Sequence, residues 1–258
     1  MIHYMVCMIN NKLISQITII LILGKVAYNI QTEVKKEYVY KEHIIGYSVE
    51  NRPIYLIEIG SGKEITLILG VIHGDEPQGK YIIERLKEYL KKNMSILKNK
   101  KVLLIPVANP DGFIKKTRVN ARGVDLNRNF PTKDWGTIRK KKRYNPGQRK
   151  PEPETQAIIK VIELYKPDKI IAIHSYHRYC NNYDGPAKKL AETMQKYNKY
   201  PVKSYIGYPT PGSLGTYAGK ERKIPTITLE LPNNISIEKS WLQNKDALIA
   251  AIKFDINK

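Results

Sequence analysis

The sequence predicts an α/β fold: a single αβα domain in which a mixed, mostly parallel twisted sheet is flanked by helices. Three observations carry this expectation. Short β-branched runs alternate with stretches of helical period, no linker separates them from residue 45 onward, and no internal repeat or low-complexity tract intervenes. A hydrophobic content of 42% over 258 residues suffices for one ordinary core. The 2 cysteines, Cys7 and Cys180, make no disulfide framework and have no Cys or His at metal-finger spacing, so stability must come from burial.

The elements follow in order. Residues 1–30 hold no acid, and "LISQITIILILG" (13–24) follows Lys12, which resembles the apolar core of a secretory signal. Twelve residues fall short of the roughly 20 that span a bilayer. Lys25 follows at once and no A-x-A cleavage pattern appears, so an uncleaved anchor or a buried first strand stays open. The division expected is therefore 1–30 as signal peptide or N-terminal anchor and 31–258 as the globular domain, with export as the expected destination and a cytoplasmic one as the alternative.

"PIYLIEI" and "ITLILGVI" are β-branched runs of the kind found in a sheet buried on both faces. Over 77–92 the period changes: Ile82, Leu86, Tyr89 and Leu90 share one helical face while Lys80, Glu84, Lys87 and Lys91 point away. "KVLLIPVAN" (101–109) is again a strand, "PETQAIIKVIELYKP" a helix opened by Pro153 and stopped by Pro167, and "KIIAIHS" a strand. "AKKLAETMQKYNKY" and "IEKSWLQNKDALIAAIKF" are helices around a last strand, "PTITLEL" (225–231).

Charge narrows the partners. With 44 Lys+Arg against 24 Asp+Glu the net charge is +20, a field that attracts anions. The lysines are scattered rather than striped, and no RNA-binding signature, helix-turn-helix pattern or phosphate-cradling glycine loop accompanies them, so nucleic acid is not an expected partner. The dense cluster "RKKKRY" (139–144) reads as a solvated flap.

Polar residues interrupt the strands at telling places. His73 and Glu76 follow "LILGVI", His174 ends "KIIAI", and Glu230 lies within "TITLEL"; ligands of open α/β sheets bind where strands end. Any one of these residues alone is more often structural. Together, two imidazoles and a carboxylate supply the three-ligand set of a catalytic zinc that keeps a fourth position for water.

The stretches "HGDEPQG", "NPDGF", "TRVNARGVDLNRNFP", "EPETQAI", "AIHSYH", "GYPTPGSLGTYAG" and "TLEL" resemble, in order, the zinc metallocarboxypeptidases, and in particular the murein peptide amidase branch that cuts the γ-D-glutamyl-diaminopimelate bond. The likeness runs from about residue 45 to 231. It implies a zinc carboxypeptidase-like fold, one Zn2+ held by His73, Glu76 and His174, and Glu230 as the base that deprotonates a water whose pKa zinc lowers from 15.7 to about 7. It further implies Arg118 as the cation facing the developing oxyanion, with Arg122 close enough in sequence to substitute or to grip a second carboxylate. Asn127 and Arg128 correspond to the clamp for the substrate's terminal carboxylate, a task suited to a planar guanidinium.

Asp125 reads as an organiser of the same loop. Tyr208, rather than Tyr217, corresponds to the tyrosine that folds over substrate, and Gly212, Ser213 and Gly215 leave room for a bulky polar diaminopimelate end. Cys180 reads as a small buried residue, and His177 as a surface histidine near the cleft. The expected partners are murein peptides and anionic cell-wall material. Alternatives are a general metallocarboxypeptidase on α-peptides, an N-acyl amino acid deacylase resembling succinylglutamate desuccinylase and aspartoacylase, and a non-catalytic wall-binding protein.

Overall fold

A computed structural model describes residues 39–137 and 144–256. The leader at 1–30 and most of the basic 139–144 stretch lie outside the described residues, and among the described residues no helix is long and apolar enough to cross a membrane.

Eight strands form one sheet: β1 (Tyr40–Tyr47), β2 (Pro53–Ile59), β3 (Glu64–Gly70), β4 (Lys100–Ile105), β5 (Lys169–Ser175), β6 (Cys180–Asp184), β7 (Val202–Lys203) and β8 (Thr226–Leu231), in the order β1-β2-β4-β3-β5-β8-β6-β7. The central β4, β3, β5 and β8 run parallel, while β1 and β2 on one side and β6 against β8 on the other are antiparallel. The sheet is mixed and mostly parallel, as the alternation of strand and helix signals predicts. Strand β4 stops at Ile105 because Pro106 cannot donate to the ladder, so the predicted 101–109 run is shortened.

The side-chain period of two builds two cores. Ile68 of β3, Ile171 and Ile173 of β5, and Ile227, Leu229 and Leu231 of β8 pack beneath α1 (Gln78–Lys92), α4 (Lys188–Asn198) and α5 (Ile237–Lys253). Leu67 and Leu69 of β3, with Ile170 and Ala172 of β5, face the other way against Ile158 and Val161 of α3 (Pro153–Tyr165) and against Leu126, Phe130 and Tyr217. Each such fully buried side chain contributes about 1.5–3 kcal/mol. Helix α1 buries Ile82, Ile83, Leu86 and Leu90, and Tyr89 is only partly covered. Helix α3 opens on Pro153 and closes on Lys166 in the left-handed region just before Pro167.

This alternation has a second consequence. On β8 the residues opposite in parity to Ile227, Leu229 and Leu231 are Thr226, Thr228 and Glu230, so the polar half of "TITLEL" lies on one face. His174 is the registered neighbour of Glu230 across the parallel β5–β8 pair, at the carboxyl edge of the sheet.

Candidate active site

His73 and Glu76 lie on the turn between β3 and α1. Strand β3 ends at Gly70, and the next residue, Val71, has φ of 52°, an unfavourable conformation for a β-branched residue. Two main-chain bonds hold the bend, Ala108 N–H to the Gly70 carbonyl at 3.1 Å and Asn109 N–H to the Val71 carbonyl at 2.9 Å. Asn109 also caps the short helix α2 (Pro110–Lys115), its Oδ1 accepting from Gly112 N–H at 2.9 Å. The backbones of Gly74 and Gly112 touch: a β-carbon on Gly74 would come within 1.9 Å of the Gly112 carbonyl carbon. The glycines of "HGDE" and "NPDG" therefore serve one close backbone approach.

Three donor groups converge. His73 Nδ1 is 2.9 Å from Glu76 Oε1, His174 Nδ1 is 2.8 Å from Glu76 Oε2, and the two imidazole Nδ1 atoms are 3.0 Å apart, all three residues being buried. On the far side of its ring His73 Nε2–H donates to Asp125 Oδ1 at 3.1 Å, which leaves the Nδ1 lone pair turned toward Glu76 and His174. With both Nδ1 atoms unprotonated, two imidazole lone pairs and a carboxylate converge on one point, an arrangement that a cation would complete. Burial opposes the Glu76 carboxylate, yet His73 and His174 hold it well below its ordinary range. For Asp125 burial is likewise overcome, by His73, Arg118 and Arg128. A histidine oriented by a buried carboxylate, beside a second histidine and a charged carboxylate, fits a zinc site and its supporting shell. Among the described residues His73, Glu76 and His174 form the cluster of metal-binding type.

Around this cluster lies a cavity of about 460 Å³. Glu230 opens onto it, and its carboxyl is pushed up to about 7, chiefly by burial, with Glu76 adding to the rise and His174, Arg118 and Arg128 opposing it. Arg118 Nε donates to Asp125 Oδ2 at 3.0 Å and its Nη1 lies 3.5 Å from Glu76 Oε1, so the guanidinium is fixed beside the donor cluster. Arg122 is elsewhere. Its side chain is 58% exposed, pairs with Glu152 at 3.2 Å and is not among the residues that line the cavity. The cause is Asn120, whose Oδ1 accepts from the N–H groups of Arg122 and Val124 and turns the loop outward there.

Asn127 and Arg128 both reach the cavity, on a short 3₁₀ turn whose first N–H is held by Asp125. Asn127 Oδ1 accepts from Leu214 N–H at 2.9 Å, and Arg128 Nη1 donates to the Asn127 carbonyl at 2.6 Å. The "EPETQAI" stretch braces this loop: Asn120 Nδ2 donates to Glu152 and Glu154, and Asn129 Oδ1 accepts from Glu152 N–H at 2.6 Å.

Tyr208 and Ser213 line the cavity, whereas Tyr217 is buried against Phe130, its hydroxyl directed at Glu163. His177 is exposed and sits on the cavity rim, and Cys180 is fully buried. Tyr144, Asn182 and Asp184 are among the cavity-lining residues that sequence reasoning misses. Tyr144 sets its ring 5.4 Å from both the Arg118 and Arg128 guanidiniums and 6.2 Å from the Tyr208 ring. Asn182 and Asp184 reach the cavity from β6, whose "CNNYD" carries no apolar alternation.

Sheet, donor cluster and cavity together define a zinc carboxypeptidase-type hydrolase, and the chain belongs to the zinc carboxypeptidase family, whose model matches residues 27–245. It is 36% identical over 160 residues to murein peptide amidase A of Vibrio campbellii, covering 57% of this chain and 62% of that protein. With murein peptide amidase A of Escherichia coli K12 it shares 32% identity over 195 residues, 70% of this chain and 76% of the relative. The chain thus spans a little under two thirds of the Vibrio protein's length. In fold it matches the murein-tripeptide amidase of Escherichia coli O157 with a TM-score of 0.68 at 24% identity, over 87% of this chain and 97% of that one. It matches carboxypeptidase A from Helicoverpa armigera with a TM-score of 0.69 at 20% identity, over 83% and 68%. Membership implies one zinc ion, and the His73–Glu76–His174 donor set fits it.

Proposed function

We propose that this protein hydrolyses the γ-D-glutamyl-diaminopimelate bond of murein peptides. One observation carries the reading: the donor cluster, Glu230, Arg118 and the Asn127–Arg128 pair share one cavity in a chain 32–36% identical to murein peptide amidases. Zinc, when bound by His73, Glu76 and His174, would supply Lewis acidity and an acidified water.

The remaining tasks fall to the chain. Glu230 accepts a proton from the attacking water and returns it to the leaving amine, a task for a carboxyl whose basicity burial raises. Arg118, immobilised by Asp125, faces the carbonyl oxygen as negative charge grows there. Arg128 and Asn127 hold the terminal carboxylate of the residue to be released. Tyr208, Tyr144 and Tyr176 form an aromatic rim that limits water access. The apolar run at 13–24 supports export, which amino-terminal sequencing of the protein recovered from cell fractions tests.

The deciding experiment incubates zinc-loaded protein with L-alanyl-γ-D-glutamyl-meso-diaminopimelate and follows products by mass spectrometry. Free diaminopimelate should appear with wild type and not with Glu230→Gln. Cleavage of α-linked peptides alone would replace this reading by that of a general carboxypeptidase.

A further inference from the structure

One side chain lies against both arginines of the cavity. The Arg118 and Arg128 guanidiniums stand over the Tyr144 ring, each 5.4 Å from its centroid, inside the roughly 6 Å over which a ring face attracts a cation. All three residues line the cavity.

The loop that carries the arginines also fixes the tyrosine. Asp125 N–H donates to the Asn145 carbonyl at 2.8 Å, Asn145 Nδ2 to the Gly123 carbonyl at 3.0 Å, and Asn129 Nδ2 to the Pro146 carbonyl at 2.8 Å. The two residues that follow Tyr144 are thus fastened to the chain on both sides of the 3₁₀ turn Leu126–Arg128.

The guanidiniums differ in what else holds them. Arg118 has carboxylates, Asp125 at 3.0 Å and Glu76 at 3.5 Å. Arg128 is buried and, among the described residues, pairs with no carboxylate; its Nη1 donates to the Asn127 carbonyl at 2.6 Å. For Arg128 the Tyr144 ring face therefore offsets part of a buried charge and orders the guanidinium plane, and an ordered guanidinium loses less rotamer freedom when it grips an anion.

We propose that Tyr144 is a positioning residue whose ring orders the Arg128 guanidinium for the terminal carboxylate of the bound peptide. The proposal rests on Arg128 being the carboxylate clamp, as under Proposed function. Arg118, held independently by Asp125, depends on the ring less. The ring face acts and the hydroxyl does not, so phenylalanine can replace Tyr144 and an aliphatic side chain cannot.

The test reads binding without turnover. In zinc-loaded Glu230→Gln, calorimetry compares L-alanyl-γ-D-glutamyl-meso-diaminopimelate with the same peptide amidated at the α-carboxyl of its last residue, and an α-linked N-acyl dipeptide with its carboxamide. The acid of at least one pair should bind about 10- to 100-fold more tightly than its amide. Adding Tyr144→Leu or Tyr144→Ala should cut that preference by about 5-fold or more, and Tyr144→Phe should restore it. With Glu230 intact, the ring-less variants should raise KM by a larger factor than they lower kcat. An acid preference kept in full by a ring-less variant, a Tyr144→Phe that fails to restore it, or a fall in kcat larger than the rise in KM overturns this proposal and leaves the clamp standing. Absence of an acid preference in both pairs with Tyr144 intact removes the clamp reading, and this proposal with it.

Discussion

The Nδ1 atoms of His73 and His174 lie 3.0 Å apart although 101 positions separate the two residues in the chain. Asp125 fixes the first ring from behind, and β5 carries the second to the sheet edge. A cation held by the two rings and Glu76 would turn this contact into shared coordination. Removing zinc with a chelator should therefore lower thermal stability, and adding it back should restore stability by about 2.7 kcal/mol at a free concentration 100 times the dissociation constant. His174→Ala should bind no stoichiometric zinc by atomic absorption, and its melting temperature should not respond to the metal. An equal response in both proteins would dissociate this cluster from the metal.

Glu230 lies outside the three-donor cluster yet sits in register beside His174, so its removal should separate chemistry from metal binding. Glu230→Gln is expected to keep one zinc per chain and to lose about 10²- to 10⁴-fold in kcat. Loss of zinc together with activity would instead make Glu230 a fourth support of the metal.

Much of this centre is legible in the sequence because its residues fall at strand ends or beside a cap. His73 and Glu76 follow an apolar run that stops, whereas Asn109, read as the end of a strand, in fact caps the helix packed on them. The alternation in "TITLEL" already places Glu230 with Thr226 and Thr228 on one face. Asp184, by contrast, is invisible because "CNNYD" lacks the apolar alternation of a strand and becomes one only by pairing with β8. Tyr144 stands 16 positions beyond Arg128 in the chain yet sets its ring over that guanidinium, a proximity that periodicity does not encode. Arg122 lies four positions from Arg118, but the Asn120 turn sends the two guanidiniums to different environments, which sequence spacing does not encode.

That divergence gives a discriminating pair. Arg118→Ala should lower kcat by about 10²- to 10³-fold, the usual loss for one oxyanion donor. Arg122→Ala should leave kcat within about twofold, since an exposed ion pair contributes little. Steady-state kinetics on one substrate decides between them, and comparable losses in the two variants would return Arg122 to the site.

Cys180 supplies a pH test away from the chemistry. The side chain is fully buried, and its thiol is pushed up to about 12, by burial first and then by Glu230. At pH 8 such a thiol is protonated and sealed from solvent, so in a Cys7→Ser background a thiol reagent should label Cys180 only as fast as the protein unfolds, and labelling should accelerate with denaturant. The sign of the stability effect follows from the raised value. The folded state holds the proton more tightly than the unfolded chain, so the contribution is complete below the ordinary value of 9.0 and is lost as pH rises toward about 12. Other groups titrate in that window, so the measurement is a difference: denaturant melts of Cys7→Ser and of Cys7→Ser/Cys180→Ser at pH 8 and 10.5. The cysteine-containing protein should lose more stability between the two pH values. Equal losses, or fast labelling at pH 8 without denaturant, would mean that the β6–β8 pair opens readily and that Cys180 is not sealed behind Glu230.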